Sequence, residues 1–328
     1  MRFLLDDEQR EFARSLDALL TAAGTPAVVR TWSTGDHGPG RALWARLAEA
    51  GVFALAVPEE HAGLGPRPVE LTVAFAELGR YAVPGPLVET VAVAALLDRL
   101  DDTTDWLPGI ASGKTVASLC LLTPGTPYAL DADAADLVLV VTEDTVRVAE
   151  SAGPVQPSAD PARRLARPLG GTPLAQGPQV RAAAAHAADV AALATAAQAL
   201  GVGRALLDRT VDYVKQRTQF GRPIGSFQAL KHHLADTLIA LEFAQPLVHA
   251  AAVALTAGAD RPSCARDIAA AKLAASEATY QAARVALQCH GALGYTEELD
   301  LSLWLRKARA LRTAWGTPAA CRARVLAA

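Results

Sequence analysis

Apolar positions recur with a helical period at both ends of the chain and with a shorter period in the middle. Asp6 can cap a helix with Gln9 three residues on, and Phe12, Leu16 and Leu19 then share one face. Further helices are predicted over Arg41–Ala50, stopped at Gly51, over about Val69–Gly79 and over Leu87–Leu100. Gly- and Pro-rich connections at 58–68 and 83–86 separate them. The character changes near Pro108-Gly109. Thr115–Leu122, Leu137–Val141 and Thr145–Ala149 are short, β-branched and bounded by turn residues, which reads as strands. From 150 to 180 the chain is rich in Pro, Gly and Ala. Helical periodicity returns from about 182. Phe227, Leu230, Leu234, Leu238 and Leu241 recur at steps of three and four, giving one apolar stripe. The pattern predicts a mainly α fold with a small β domain: helical over 1–114, β over 115–181, and helical again over 182–328.

Composition narrows the class. With 328 residues, 51% of them hydrophobic, the chain can bury a large core in more than one domain. A formal charge of −3 gives no electrostatic reason to expect nucleic acid or an anionic membrane as partner. Cys120, Cys264, Cys289 and Cys321 are scattered without Cys-x-x-Cys spacing, which argues against a disulfide framework or zinc site. His232 and His233 stand together without a supporting Asp, Glu or Cys cluster, so no metal is expected. The N-terminus turns acidic after five residues and lacks the basic start and apolar core of a signal peptide. The Ala-rich runs around 182–200 and 244–258 are broken by His186, Asp189, Gln198, Gln245 and His249, and neither reads as a bilayer span. A soluble cytoplasmic protein is expected.

The chemistry concentrates in Arg217-Thr218-Gln219-Phe220-Gly221-Arg222-Pro223-Ile224-Gly225-Ser226-Phe227-Gln228. A basic, helix-like segment from Val211 to Arg217 ends at a Gly-Arg-Pro turn, and Ser226 can cap the helix that follows from Ala229. Pro223 fixes its own backbone angle and disfavours helical geometry at Arg222, while Gly221 permits angles that other residues avoid. The turn presents Arg217, Gln219 and Phe220 between two helices, an arrangement suited to a flat, phosphate-bearing ligand. An interhelical loop with a surface arginine fits the spacing equally well.

This segment resembles the flavin-adenine-binding turn of the acyl-CoA dehydrogenase family, Arg-x-x-Phe-Gly-x-x-Ile-x-x-x-Gln. Gln288-Cys289-His290-Gly291-Ala292-Leu293-Gly294-Tyr295 is similar to that family's Gln-x-x-Gly-Gly-x-Gly-Tyr signature. Val57-Pro58-Glu59-Glu60-His61-Ala62-Gly63-Leu64-Gly65 resembles its Pro-Glu-x-x-Gly-Gly-x-Gly loop, and Asp160–Leu165 also recurs in the family's middle domain. The resemblance implies an N-terminal helical domain, a central β barrel and a C-terminal four-helix bundle. It further implies FAD as cofactor, an acyl-CoA thioester as substrate and an electron-transfer flavoprotein as an acceptor. Carried over by position, Arg217 would contact the pyrophosphate region and Phe220 would pack beside the adenine. Gln219 and Ile224 belong to the same turn, and Gln228 would hydrogen-bond further along the cofactor. Gln288, Gly291 and Gly294 would form the complementary wall, contributed across a subunit interface, and Thr317 matches the family's Gly-Thr pair near the isoalloxazine.

Departures from the family pattern cluster around the reaction itself. Ala319 stands where the family often has Gln. The flavin-holding segment of the middle domain is reduced to Leu121-Leu122-Thr123-Pro124-Gly125-Thr126-Pro127, with Thr123 or Thr126 as substitutes for its hydroxyls. Dehydrogenation needs a carboxylate for the α-proton and a hydride acceptor for the β-carbon. The two positions where the family carries that Glu are Trp315 and Ala191 here, and neither side chain takes a proton. Asp189 is a weak candidate, facing about 200° around the helix from the Ala191 position. Glu242, beside the Leu241 stripe, suits an interhelical ion pair better.

The pattern resembles the short, base-lacking subunit of heteromeric acyl-CoA dehydrogenases of bacterial steroid side-chain degradation. There a homologous chain brings the Glu and the two share each FAD. A self-sufficient thioester dehydrogenase with an atypical base, as a homo-oligomer, and a non-flavin structural subunit are the alternatives.

Overall fold

The computed structural model describes residues 4–100, 103–122, 127–257 and 262–327. Six helices come first: α1 (Asp7–Ala22), α2 (Thr25–Ser33), α3 (Gly38–Glu49), α4 (Pro68–Arg80), α5 (Leu87–Leu97) and α6 (Leu107–Ala111). Seven short strands follow: β1 (Ala117–Leu121), β2 (Ala129–Leu130), β3 (Leu137–Val141), β4 (Thr145–Val148), β5 (Val155–Gln156), β6 (Leu165–Ala166) and β7 (Thr172–Gln176). The rest is α7 (Gln179–Gln216), the hairpin strands β8 (Thr218–Gln219) and β9 (Arg222–Pro223), then α8 (Gln228–Thr256), α9 (Pro262–His290), α10 (Leu301–Leu311) and α11 (Pro318–Leu326). The fold is mainly helical with small sheets, and its order along the chain is the predicted one.

Local signals explain most boundaries. Asp6 caps α1 in a reciprocal capping box with Gln9, and Leu16 and Leu20 turn its apolar face inward. Gly51, at φ 82, follows α3 as expected of a helix stop. Two helices lie outside the predicted set. α2 opens on Thr25-Pro26, a start signal that apolar spacing alone does not pick up, and five-residue α6 is too short for periodicity to register. The two-residue strands β2, β5 and β6 escape a period-two reading for the same reason.

The chain forms two compact units. One comprises Ala27–Leu71 and Val83–Ala191. Within it β1 pairs in parallel with β3, and β4 and β7 extend the sheet antiparallel in the order β1-β3-β4-β7. A second sheet runs β2-β6-β5. Cys120, Ala129, Ala132, Val138, Val140 and Ala166 bring both sheets into one core. Every residue of α5 is buried, and Thr90 ties it to β1 through its hydroxyl, which donates to the Ala117 carbonyl (2.7 Å). The Asp160–Leu165 segment is explained here by structure alone. Arg164 donates to Asp133, and its backbone N–H and carbonyl bond Asp131.

The other unit comprises the residues up to Pro26, Thr72–Ala82 and everything from Ala192 onward. α8 packs along α9, and α10 and α11 pack on α9. Its core gathers Ala199, Ala205, Ala282, Ala283, Ala286 and Ala308, small residues that let helices approach closely, around Leu206, Trp304 and Leu311. At the α4–α7 crossing two glycines meet reciprocally. A Cβ on Gly201 would lie 1.8 Å from the Ala76 carbonyl oxygen, and one on Gly79 would lie 2.0 Å from that of Gln198.

α7 and α8 are long and apolar enough in composition to cross a membrane, which the Ala-rich runs taken separately did not suggest. The apolar window of α7 is 94% buried inside the protein, so α7 is a core helix. That of α8 is 33% buried, leaving Leu238, Ile239, Phe243 and Leu247 exposed along one face.

Candidate functional site

The hairpin that follows α7 places the predicted phosphate-binding residues. β8 and β9 pair antiparallel with Gln219 opposite Arg222, so the connection is the two residues Phe220 and Gly221. Both have positive φ, 55° and 76°, as a type I′ hairpin turn requires. The tight turn is therefore Phe-Gly, one residue earlier than the predicted Gly-Arg-Pro. A phenylalanine in the left-handed region is strained, and such strain collects at functional turns. The Phe220 ring is 90% exposed, touching only the edge of Phe227 among aromatic rings (6.1 Å). The Arg222 guanidinium lies 4.1 Å over the Phe227 ring.

Arg217 is anchored by its backbone and free at its side chain. Its N–H donates to the Tyr213 carbonyl (2.9 Å) and its carbonyl accepts from the Ile224 N–H (2.8 Å). The guanidinium is exposed and has no carboxylate partner among the described residues. Gln219 is exposed and Ile224 half-buried. Gln228, also exposed, opens α8. Ser226 does not cap that helix. Ile224–Ser226 forms a 3-10 turn, and Phe227 takes the N-cap position without a side-chain bond. The rigid turn consumes the residue that spacing had assigned to the cap.

The second signature closes α9. Gln288 is exposed in the last turn, and Gly291 leaves the helix at φ 57. Gly294 is buried in the 3-10 segment Gly291–Tyr295, where a Cβ would sit 3.0 Å from Leu287 Cδ1. His290, unassigned by sequence reasoning, is buried and stacks on Tyr213 with ring centroids 4.0 Å apart. Burial pushes its pKa down, and Nδ1 lies 2.8 Å from the Ala286 carbonyl. This stack joins the end of α9 to the last turn of α7, four residues before Arg217. The aromatic-histidine pair was visible in the sequence, but only the fold sets them face to face. In the other unit, the Val57–Gly65 loop is closed by bonds from Gly63 N–H to Pro58 and from Gly65 N–H to Val57 (both 3.0 Å).

At the position where the resemblance puts the base, Trp315 is half-buried at φ 53 and Gly316 follows at φ 136. The Thr317 hydroxyl oxygen caps α11 by accepting from the Ala320 N–H (3.1 Å). Ala319 is exposed on α11. Ala191 is fully buried on α7, and Asp189 beside it is 6% exposed. Glu242 is paired with Arg204 at 2.9 Å, the interhelical ion pair expected of it. Other candidate carboxylates are committed elsewhere. Asp131, pushed up to about 7 by burial, is wholly enclosed and accepts from the Trp32 indole (3.1 Å). Glu277 is paired with Arg312 (3.0 Å). Thr123 and Thr126 lie outside the described residues.

A groove of about 610 Å³ runs between α7 and α8, lined by Leu207, Val211 and Lys215 on one side and Leu234, Ala235 and Leu238 on the other. Residues 179–328 match the acyl-CoA dehydrogenase C-terminal domain and residues 6–114 the N-terminal domain of the same family. The chain is 38% identical over 309 residues to acyl-CoA dehydrogenase IpdE2 of Mycobacterium tuberculosis, covering 92% of this chain and 91% of that protein. The chain belongs to the acyl-CoA dehydrogenase family. This family consists of FAD-dependent oxidoreductases acting on CH–CH bonds. The fold agrees. The glutaryl-coenzyme A dehydrogenase glutaryl-CoA complex matches with a TM-score of 0.88 at 20% identity, over 99% of this chain and 96% of that one. The ChsE4-ChsE5 complex from Mycobacterium tuberculosis matches with a TM-score of 0.86 at 23% identity, over 100% and 98%.

Proposed function

We propose that this acyl-CoA dehydrogenase family member is the FAD-sharing, base-lacking subunit of a heteromeric complex that dehydrogenates an acyl-CoA at its α and β carbons. The observation that carries this reading is a contrast within one chain. The Arg217–Gln228 turn keeps the family's cofactor pattern in a strained, exposed hairpin, while Trp315 and Ala191 fill both positions of the family's base. On this reading 1–114 is the N-terminal helical domain, 115–181 the central β domain, and 182–328 the helical bundle that carries the cofactor turn and the oligomer contacts.

The residues present fit FAD. An exposed, unpaired guanidinium suits a pyrophosphate, to which arginine donates charge-assisted hydrogen bonds. The exposed Phe220 ring offers an apolar face beside it, and Gly221 and Gly291 have nothing within 4 Å of a would-be Cβ, which leaves open space at both loops. Gln219, Ile224 and Gln228 line the same turn, Gln288, Gly291 and Gly294 form the complementary wall, and Thr317 sits near the flavin ring. Bound FAD supplies the acceptor for the hydride from the β-carbon. This chain then holds and orients the cofactor, and Trp315 shapes the acyl pocket without exchanging a proton. The α-proton goes to a carboxylate on a homologous partner chain. The exposed apolar face of α8 supports burial against other subunits, in a soluble cytoplasmic assembly. One of the structural neighbours is itself a complex of two differently named proteins. An electron-transfer flavoprotein is the electron acceptor this reading expects, and bacterial steroid side-chain degradation the setting.

The burial of Asp189 gives a self-sufficient enzyme its one foothold. Asp189→Asn is expected to leave acyl-CoA turnover of the complex within about twofold, because a carboxylate two residues off the alternative position faces away from it. A loss of several orders of magnitude in turnover, with the complex intact, would make Asp189 the base and overturn the proposal.

A further inference from the structure

Lys272, on α9, is fully buried. An ammonium in the interior is costly unless its donors are met. They are met here by one hydroxyl and a ring of carbonyls. Nζ donates to Ser276 Oγ (2.7 Å), to the Leu311 carbonyl (3.0 Å) and to the Gly316 carbonyl (3.3 Å), and it lies 3.5 Å from the Arg312 carbonyl.

The three carbonyls share one short segment. Leu311 and Arg312 close α10, where carbonyls lack intrahelical partners and the helix dipole favours a cation. The Gly316 carbonyl lies just past Trp315, whose left-handed backbone is strained for a bulky residue. The ammonium therefore grips the segment on both sides of Trp315. The far side is fixed too. A Cβ on Gly316 would lie 3.0 Å from Cys321 Sγ and 3.8 Å from Lys272 Cγ, and Thr317 caps α11 immediately afterwards. A brace that merely joined α9 to α10 would need only the α10 carbonyls.

We propose that Lys272 is a positioning residue for the site. It clamps the 311–316 segment so that Trp315 and Thr317 are held at the flavin side of the pocket. The assignment of that side rests on the FAD reading given above; the clamp itself does not.

The test uses the flavin-loaded complex carrying Lys272→Met or Lys272→Gln in this chain. Hydrogen exchange in a peptide spanning 311–318 is expected to rise at least tenfold in Lys272→Met, with α8 unchanged. Turnover is expected to fall about tenfold with KM for acyl-CoA altered less than twofold. Lys272→Gln, which keeps an amide donor, is expected to recover part of both and to report if the methionine variant does not fold. Unchanged exchange in both variants would refute the clamp. Raised exchange with the flavin absorbance band and turnover unchanged would refute the positioning role and leave a structural brace. Failure of the underlying FAD reading is seen separately, as a wild-type complex without flavin.

Discussion

Arg217→Ala in the purified complex is expected to weaken FAD retention by about 10- to 100-fold. A hydrogen bond to a charged group contributes roughly 1.5–3 kcal/mol, and each 1.4 kcal/mol is about tenfold in affinity. The guanidinium has no carboxylate partner among the described residues, so its removal breaks no internal ion pair. The hairpin also survives the change, because Arg217 holds it through backbone bonds to Tyr213 and Ile224. Circular dichroism should accordingly match the wild type while the flavin absorbance of gel-filtered protein falls. Arg222→Ala is the control. That guanidinium is spent on the Phe227 ring, and its loss should leave flavin content nearly unchanged. Flavin content unaltered by Arg217→Ala would remove Arg217 from the cofactor site.

The second large effect concerns stability. Gly201→Ala places a methyl 1.8 Å from the Ala76 carbonyl oxygen and 2.7 Å from the Arg80 nitrogen, both backbone atoms that cannot swing aside. α4 and α7 must part, opening a core built from small residues. Overpacking of this kind costs about 3 kcal/mol. At about 2.1 cal/mol/K of unfolding entropy per residue, a loss of that size in 328 residues corresponds to a fall of roughly 4 °C in the unfolding midpoint. Gly291→Ala meets nothing within 4 Å and loses only the ease of a left-handed backbone, about 1 kcal/mol. Equal midpoints for the two variants in a thermal melt would contradict the close helix crossing.

Much of this architecture is legible in the residues because it rests on local chemistry. The capping box at Asp6, the stop at Gly51 and the β-branched runs of β1, β3 and β4 are short-range signals that tertiary structure leaves intact. Elements too short to show a period, such as α6 and the two-residue strands, are not legible, and the strands are defined only by pairing with distant parts of the chain. The cap at Ser226 failed for an instructive reason. The Phe220-Gly221 turn and the 3-10 turn after Pro223 set the chain direction before the helix begins, leaving Phe227 at the cap.

The Arg217–Gln228 and Gln288–Gly294 segments are legible because each matches a family pattern of particular residues at fixed spacing. The residues that hold those segments are not. His290 packs on Tyr213 across 77 positions of sequence, and Lys272 reaches carbonyls about 40 residues away. Neither follows from composition or period, because both depend on where α9 lies against its neighbours. The two positions where the resemblance puts the family's Glu show the opposite balance. Trp315 and Ala191 are legible at once as residues that cannot take a proton, and no described carboxylate offers itself at those positions.

The central claim is that this chain binds FAD as one part of a shared site. The most direct test is the flavin-to-protein ratio, from visible absorbance, of the chain purified alone and after co-expression with a homologous, Glu-bearing acyl-CoA dehydrogenase chain. The account predicts little flavin on the chain alone and about one flavin per pair of chains in the complex. Close to one flavin per chain in the protein purified alone, with acyl-CoA turnover to match, would contradict it.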